Sequence, residues 1–158
     1  MTNEEHVAKE TEKKMPRIAT ICSSSLILLL IFAIFFHNSF TTIQVQGDSM
    51  FPTFHNGERL LASHAYWLVG PVRPNDVIVV SGEDPGEYMI KRVYKLEGET
   101  VDWLNVPETH SIAKGEYVVP KGDVYILGDN REVSEDSRRY GSVSTNRILG
   151  KIVLKRWL

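Results

Sequence analysis

The chain is poor in the residues that build the commoner kinds of site. Cys22 is its only cysteine, so no disulfide can form within the chain and no CxxC metal or redox pair exists. Five histidines (His6, His37, His55, His64 and His110) are scattered without HExxH or comparable ligand spacing, so neither a metal nor a cofactor is expected. Basic residues do not predominate: 18 Lys and Arg stand against 20 Asp and Glu, a net charge of −2, which argues against a nucleic-acid partner. Outside a single apolar run, no ten-residue stretch has a helical period. Internal repeats and low-complexity tracts are absent as well.

The apolar run is the first positive feature. From Ile18 to Phe36 the sequence reads IATICSSSLILLLIFAIFF, nineteen residues without a charge. As a helix it covers about 28 Å, close to the ~30 Å hydrocarbon core of a bilayer. Lys9, Lys13, Lys14 and Arg17 precede it, and no Lys or Arg follows until Arg59. Glu4, Glu5, Glu10 and Glu12 count for little in this bias, which predicts an inside N-terminus. The expected order is a cytoplasmic segment 1–17, a transmembrane helix 18–36, a tether 37–46 and an extracytoplasmic domain 47–158. HNSFTT offers no A-x-A exit for a cleaved leader, and Cys22 reads as a lipid- or helix-facing residue. One partner is therefore the lipid bilayer of the cell membrane, crossed in a single pass.

The remainder reads as strands and turns. RLLAS (59–63), DVIVVS (76–81), EYMIKRVYKL (87–96), EYVV (116–119), DVYILGD (123–129) and KIVLKRW (151–157) are short and β-rich. RPND, GEDPGE, LEGE, PKGD and the polar run from Asn130 to Ser137 separate them. An all-β domain follows.

Three stretches carry candidate chemistry. GDSMFPT (47–53) holds Ser49 in a Gly/Pro-bracketed bend, which reads either as an ordinary turn or as a presented nucleophile. YMIKRV puts Lys91 mid-strand, where alternation groups it with Met89 and Val93, opposite Ile90, Arg92 and Tyr94. Facing inward, it loses hydration, its charged form is disfavoured, and it can serve as a general base; on an edge strand it reaches solvent instead. LGDNREVSEDSRRYG (127–141) is dense in Asp, Asn, Arg and Ser directly after an apolar strand. His55 and His64 lie in turn-like or strand-end contexts and read as surface residues, so Ser49 with Lys91 is the candidate nucleophile and base.

GDSMFPT, IKRV and GDNREVSEDSR, in this order, resemble the type I signal peptidases, and the resemblance runs from the apolar segment to the C-terminus. It implies an all-β catalytic domain of the signal-peptidase/LexA-like type, anchored by one N-terminal transmembrane helix. The implied activity is that of a membrane-bound serine endopeptidase removing N-terminal signal peptides from exported precursor proteins. Carried onto this chain, Ser49 is the nucleophile and Lys91 the general base. Ser134 orients the lysine amine, Asp136 and Arg138 form a supporting charged pair, and Asp129 is a structural acid of the GDN turn. The Ser49 backbone N–H is one oxyanion donor. Where some members carry a donating hydroxyl two positions before the nucleophile, this chain has Gly47, so the second donor comes from elsewhere. The short segment between Asp102 and Glu116 and the single anchor look like the Gram-positive form.

Three other readings compete. An inactive tethered homologue that binds peptides or partner proteins would lack Ser49 or Lys91. A LexA-like self-cleaving regulator would bring a DNA-binding head, and an endoplasmic-reticulum-type enzyme uses histidine where Lys91 stands. The resemblance also implies small substrate residues at −1 and −3 of the cut. Within AYWLVGP, Tyr66, Trp67 and Leu68 read first as core, and otherwise as an interfacial aromatic patch.

Overall fold

The structure is a computed structural model that describes residues 23–156 apart from 83, 112 and 114. The chain divides into two compact units after Ser39. In the first, residues 23–39 form a helix, α1. Its consecutive apolar side chains from Leu26 to Phe32 are all more than half exposed, and Ile34 and Phe36 are exposed too. The apolar surface therefore runs right round the helix. Among the described residues no helix is long and apolar enough to cross a membrane. Residues 18–22 of the expected span, Cys22 included, and the basic flank lie outside the described residues.

The second unit is built on one antiparallel sheet. Its strands are β1 (Phe40–Gln44), β2 (Arg59–Ser63), β3 (Val77–Ser81), β4 (Tyr88–Leu96), β7 (Asp123–Leu127), β8 (Val143–Ser144) and β9 (Ile148–Arg156). They lie in the order β1-β2-β9-β3-β4-β7-β8. A separate ribbon pairs β5 (Thr100–Val101) with β6 (Tyr117–Val118). The VIVVS run explains the centre. Val77, Ile78, Val79 and Val80 are all buried because β3 is flanked by β9 and β4 and covered on both faces. Ile78 and Val80 pack with Val93, Val124, Ile126 and Val143. Val77 and Val79 pack with Val45, Met50, Phe54, Leu60, Ala62 and Ile90. Each such side chain contributes about 1.5–3 kcal/mol by leaving water.

Strand β4 is the spine of the site. It pairs with β3 from Tyr88↔Ser81 to Arg92↔Val77. Its ladder with β7 begins only at Arg92↔Leu127 and runs to Leu96↔Val124. Among the described residues, the stretch Tyr88–Lys91 is thus paired on one side only.

The sequence reading is corrected at three places. Residues 40–44, read as tether, form β1 in register with β2, Phe40 opposite Ser63 and Gln44 opposite Arg59. The polar run ends in a one-turn helix, α3 (Ser137–Tyr140), and AYWLV contains another, α2 (Tyr66–Val69). Core packing is overturned for Trp67, 75% exposed, and Leu68, 52% exposed, while Tyr66 is half-buried. A single turn is too short to present an apolar stripe to the sheet, so Trp67 and Leu68 project outward.

Candidate active site

Ser49 sits in the turn that follows β1. The turn is closed by the Phe51 N–H to the Asp48 carbonyl (3.1 Å) and the Phe54 N–H to the Met50 carbonyl (2.9 Å). Met50, 1% exposed, is driven into the core beside Val45, Phe54 and Leu60, which pins its neighbour at the surface. Gly47 adopts φ +77°, a left-handed conformation that strains any side chain. That is a backbone reason for glycine where a hydroxyl residue stands in some relatives. Its N–H is already given to Asn56 Oδ1 at 3.0 Å.

Lys91 is 4% exposed, on the face of β4 that also carries Met89 and Val93. The alternation read from the sequence therefore holds, and the inward alternative is the one realised. Burial pushes the Lys91 amine below its usual range, against the opposing pull of Asp136 and Glu135, and Arg138 adds to the lowering. Ser49 and Lys91 line one open cleft of about 470 Å³, together with Gly47, Asp48, Met89, Val133, Glu135 and Tyr140.

The loop after β7 supplies the third part. A Cβ on Gly128 would lie 2.1 Å from Ser134 Oγ and 2.6 Å from the Ser49 carbonyl oxygen, so only glycine lets both segments close on the strand end. The Asn130 N–H donates to the same Ser49 carbonyl at 3.0 Å. Ser134 Oγ is buried near the Asp136 carboxylate and makes no hydrogen bond of ordinary geometry. Asp136 is fully buried and satisfied from three sides. It accepts the Gly128 N–H (2.9 Å), Arg138 Nε (2.9 Å) and Nη2 (3.0 Å), and the Arg138 N–H as cap of α3 (3.2 Å). Burial alone raises its pKa, but these donors together hold the carboxyl below the usual carboxylate range. Arg138 Nη2 also donates to the Arg131 carbonyl at 2.8 Å, stapling the loop.

Asp129 is placed differently. It takes a two-point contact from Arg92, Nε to Oδ1 at 2.8 Å and Nη2 to Oδ2 at 2.6 Å. It thereby ties the GDN turn to the face of β4 opposite Lys91. Ser49 and Lys91 line one cleft, the loop that borders it through Val133 and Glu135 carries Ser134 and Asp136, and Asp129 pairs with Arg92 on the other face of β4. His55 is exposed and contacts Glu58, and His64 is exposed, as expected. Among the described residues no group of three His, Cys, Asp or Glu is placed to hold a metal. Sequence reasoning missed Gly128, Met89 and Tyr140. The alternation that grouped Met89 with Lys91 was the signal for one of them. Tyr140 had none.

The family described as "Signal peptidase, peptidase S26" matches residues 18–106 and 104–157. The chain belongs to this family. With it, the chain is a serine endopeptidase. Signal peptidase I of Bacillus amyloliquefaciens is 30% identical over 139 residues, covering 72% of either chain. The mitochondrial ATP-independent inner membrane protease subunit 1a of Arabidopsis thaliana is 38% identical over 119 residues, covering 74% of this chain and 70% of that one. Signal peptidase I T of Bacillus subtilis (strain 168) is 29% identical over 177 residues, covering 95% of this chain and 92% of that one.

Proposed function

We propose that this peptidase removes N-terminal signal peptides from exported precursors, with Ser49 as nucleophile and Lys91 as general base. The observation that carries the reading is the burial of Lys91 in the cleft that Ser49 also lines. A desolvated amine gives up its proton more readily, so a neutral Lys91 can take the Ser49 hydroxyl proton as Oγ attacks the scissile carbonyl. The Ser49 N–H is offered to the oxyanion. The buried Ser134 hydroxyl, packed against Gly128, is the group available to hold the lysine amine. Asp136 and Arg138 keep its loop in shape, and Asp129 keeps the turn against β4.

An extended substrate suits the free side of Tyr88–Lys91, where backbone pairing would set its register next to Ser49. Substrates are expected to carry small residues at −1 and −3, since shallow pockets exclude branched or charged side chains by clash. The apolar surface all round α1 supports a membrane anchor, because such a helix has no polar face to give to water. With the basic residues before it, such an anchor favours an N-terminus in the cytoplasm and a catalytic domain outside the cell membrane.

The test is direct. Full-length protein in detergent, incubated with an exported precursor, should yield a product whose new N-terminus follows a small residue. Ser49→Ala should leave the precursor intact. A Ser49→Ala protein that cuts as fast as wild type would remove the nucleophile assignment.

A further inference from the structure

The loop that bears Ser134 is braced by a segment that lines no part of the Ser49 cleft. That segment, Asp102 to Asn105, directly follows β5. The Tyr94 hydroxyl donates to Asp102 Oδ2, and this bond is foremost in holding the Asp102 carboxyl below the usual carboxylate range. An ionised carboxylate only accepts, so it fixes which end of the Asn105 amide faces it. Asn105 Nδ2 donates to Asp102 Oδ1 at 2.9 Å and to Oδ2 at 3.1 Å. The amide oxygen is thereby turned to the loop, where Arg131 Nη1 donates to it at 2.9 Å. The Arg131 guanidinium also lies over the Tyr94 ring, 5.7 Å from its centre, which closes the circle. Backbone supplies a second grip. The hydroxyl of the fully buried Tyr125 is shared between the Asn105 carbonyl at 2.6 Å and the Ser137 carbonyl at 2.9 Å.

Asn105 therefore holds the loop on both sides of Ser134, at Arg131 by its side chain and at Ser137 through Tyr125. Arg131 follows Asn130, whose N–H donates to the Ser49 carbonyl and whose carbonyl accepts the Ser134 N–H, each at 3.0 Å. We propose that Asn105 and Arg131 are positioning residues that act through the Ser134 loop on Lys91. The inference rests on the peptidase reading above. From this loop Glu135, Asp136 and Arg138 act on the Lys91 charge, and Asp48 lines the same cleft. Ile78 and Val80 of β3, packed on the same face of β4, add no charge. Desolvation is the largest influence on the amine. A loop released at Arg131 admits water, so the rehydrated amine keeps its proton to higher pH.

The experiment measures kcat/KM against pH for full-length protein in detergent with an exported precursor. Asn105→Ala and Arg131→Ala should each lower kcat/KM at pH 7 by roughly 10- to 100-fold, the scale of a small misplacement of catalytic groups. Each should also move the inflection of the pH profile upward. Because the two side chains act through one bond, the double variant should be scarcely slower than either single one. Trp103→Ala, at a 79% exposed position of the same segment outside the network, should keep the wild-type rate and inflection. An unmoved inflection in both single variants would mean a strut that supports only the fold, and would overturn the proposal. So would a double variant whose loss is the product of the two single losses, or a Trp103→Ala shift as large as theirs. Should Asn105→Ala not fold, Arg131→Ala, at an exposed position, decides by its inflection. Wild-type protein that cleaves no precursor would overturn the peptidase reading and the positioning role together. Wild-type cleavage with unmoved inflections in the variants overturns the positioning role alone.

Discussion

Lys91 is where burial becomes chemistry. Its amine is desolvated in the fold, so its pKa lies below the 10.5 of an unburied lysine. Cleavage should rise with pH through that depressed value and level off above it, measured as kcat/KM against pH. Lys91→Arg keeps a charge that cannot be lost near neutrality, so it should be as inactive as Lys91→Ala. The same shift has a sign for stability. The folded chain binds this proton more weakly than the unfolded chain, so a protonated Lys91 costs stability below the depressed pKa. That cost fades as pH rises from there toward 10.5. Lys91→Met should therefore raise Tm at pH 7, with an advantage that narrows toward pH 10.5; a lower Tm at pH 7 would contradict it. Ser134 separates the two effects in another way. Its buried hydroxyl lies beside the Asp136 carboxylate without an ordinary hydrogen bond, so Ser134→Ala should lower Tm less than Asp136→Asn does while cutting cleavage by about 100-fold, by loosening the base. Gly128→Ala should do both kinds of damage, because its Cβ meets the Ser49 backbone as well as Ser134. An overpacking cost of about 1–3 kcal/mol in thermal unfolding is expected, with loss of cleavage.

The elements differ in how legible they were. Strands β2, β3, β4 and β7 followed from β-branched runs between turn residues, because each has enough apolar surface to declare its period. The loop from Gly128 to α3 did not, since Asp, Asn, Ser and Arg make turns of many shapes from much the same composition. Its shape is decided by Asp136. That carboxylate is fully buried and serves at once as helix cap, partner of Arg138 and acceptor for Gly128. Breaking a buried pair on one side costs about 3–5 kcal/mol. Asp136→Asn should lower stability on that scale and displace Ser134, reducing cleavage. The acid limb supplies a second check. The Asp136 pKa is lowered by folding, so its contribution is present above pH 3.8 and is lost as pH falls through the depressed value. The gap in stability between wild type and Asp136→Asn should close in that acid window. Asp129 read as part of the same cluster, yet its two-point contact with Arg92 ties it to the opposite face of β4.

For the whole molecule, the expectation concerns which side of a membrane each unit occupies. Reporter fusions at Leu158 should be active only outside the cytoplasm. Protease added to intact cells should reach the domain that begins at Phe40. Activity of the fusion inside the cytoplasm alone would reverse the topology.

The amino-acid sequence by itself determined the apolar segment, the strand-rich character of the domain, and the identities of Ser49, Lys91 and the GDNREVSEDSR loop. These are local properties of composition, period and spacing, and they survive without knowledge of what packs where. Tertiary structure alone decided the rest. It placed Lys91 inward by packing its face of β4, through Val93 and Met89, against Ile78, Val80 and Ile126. It also made Gly128 the point where Ser49, 79 positions earlier, and Ser134, 6 positions later, close on the same strand end. Likewise Tyr140 reaches Met89, 51 positions earlier, because α3 returns the chain across the end of β7. Contacts of that separation depend on how strands pair, and strand pairing is set by the packing of both sheet faces at once.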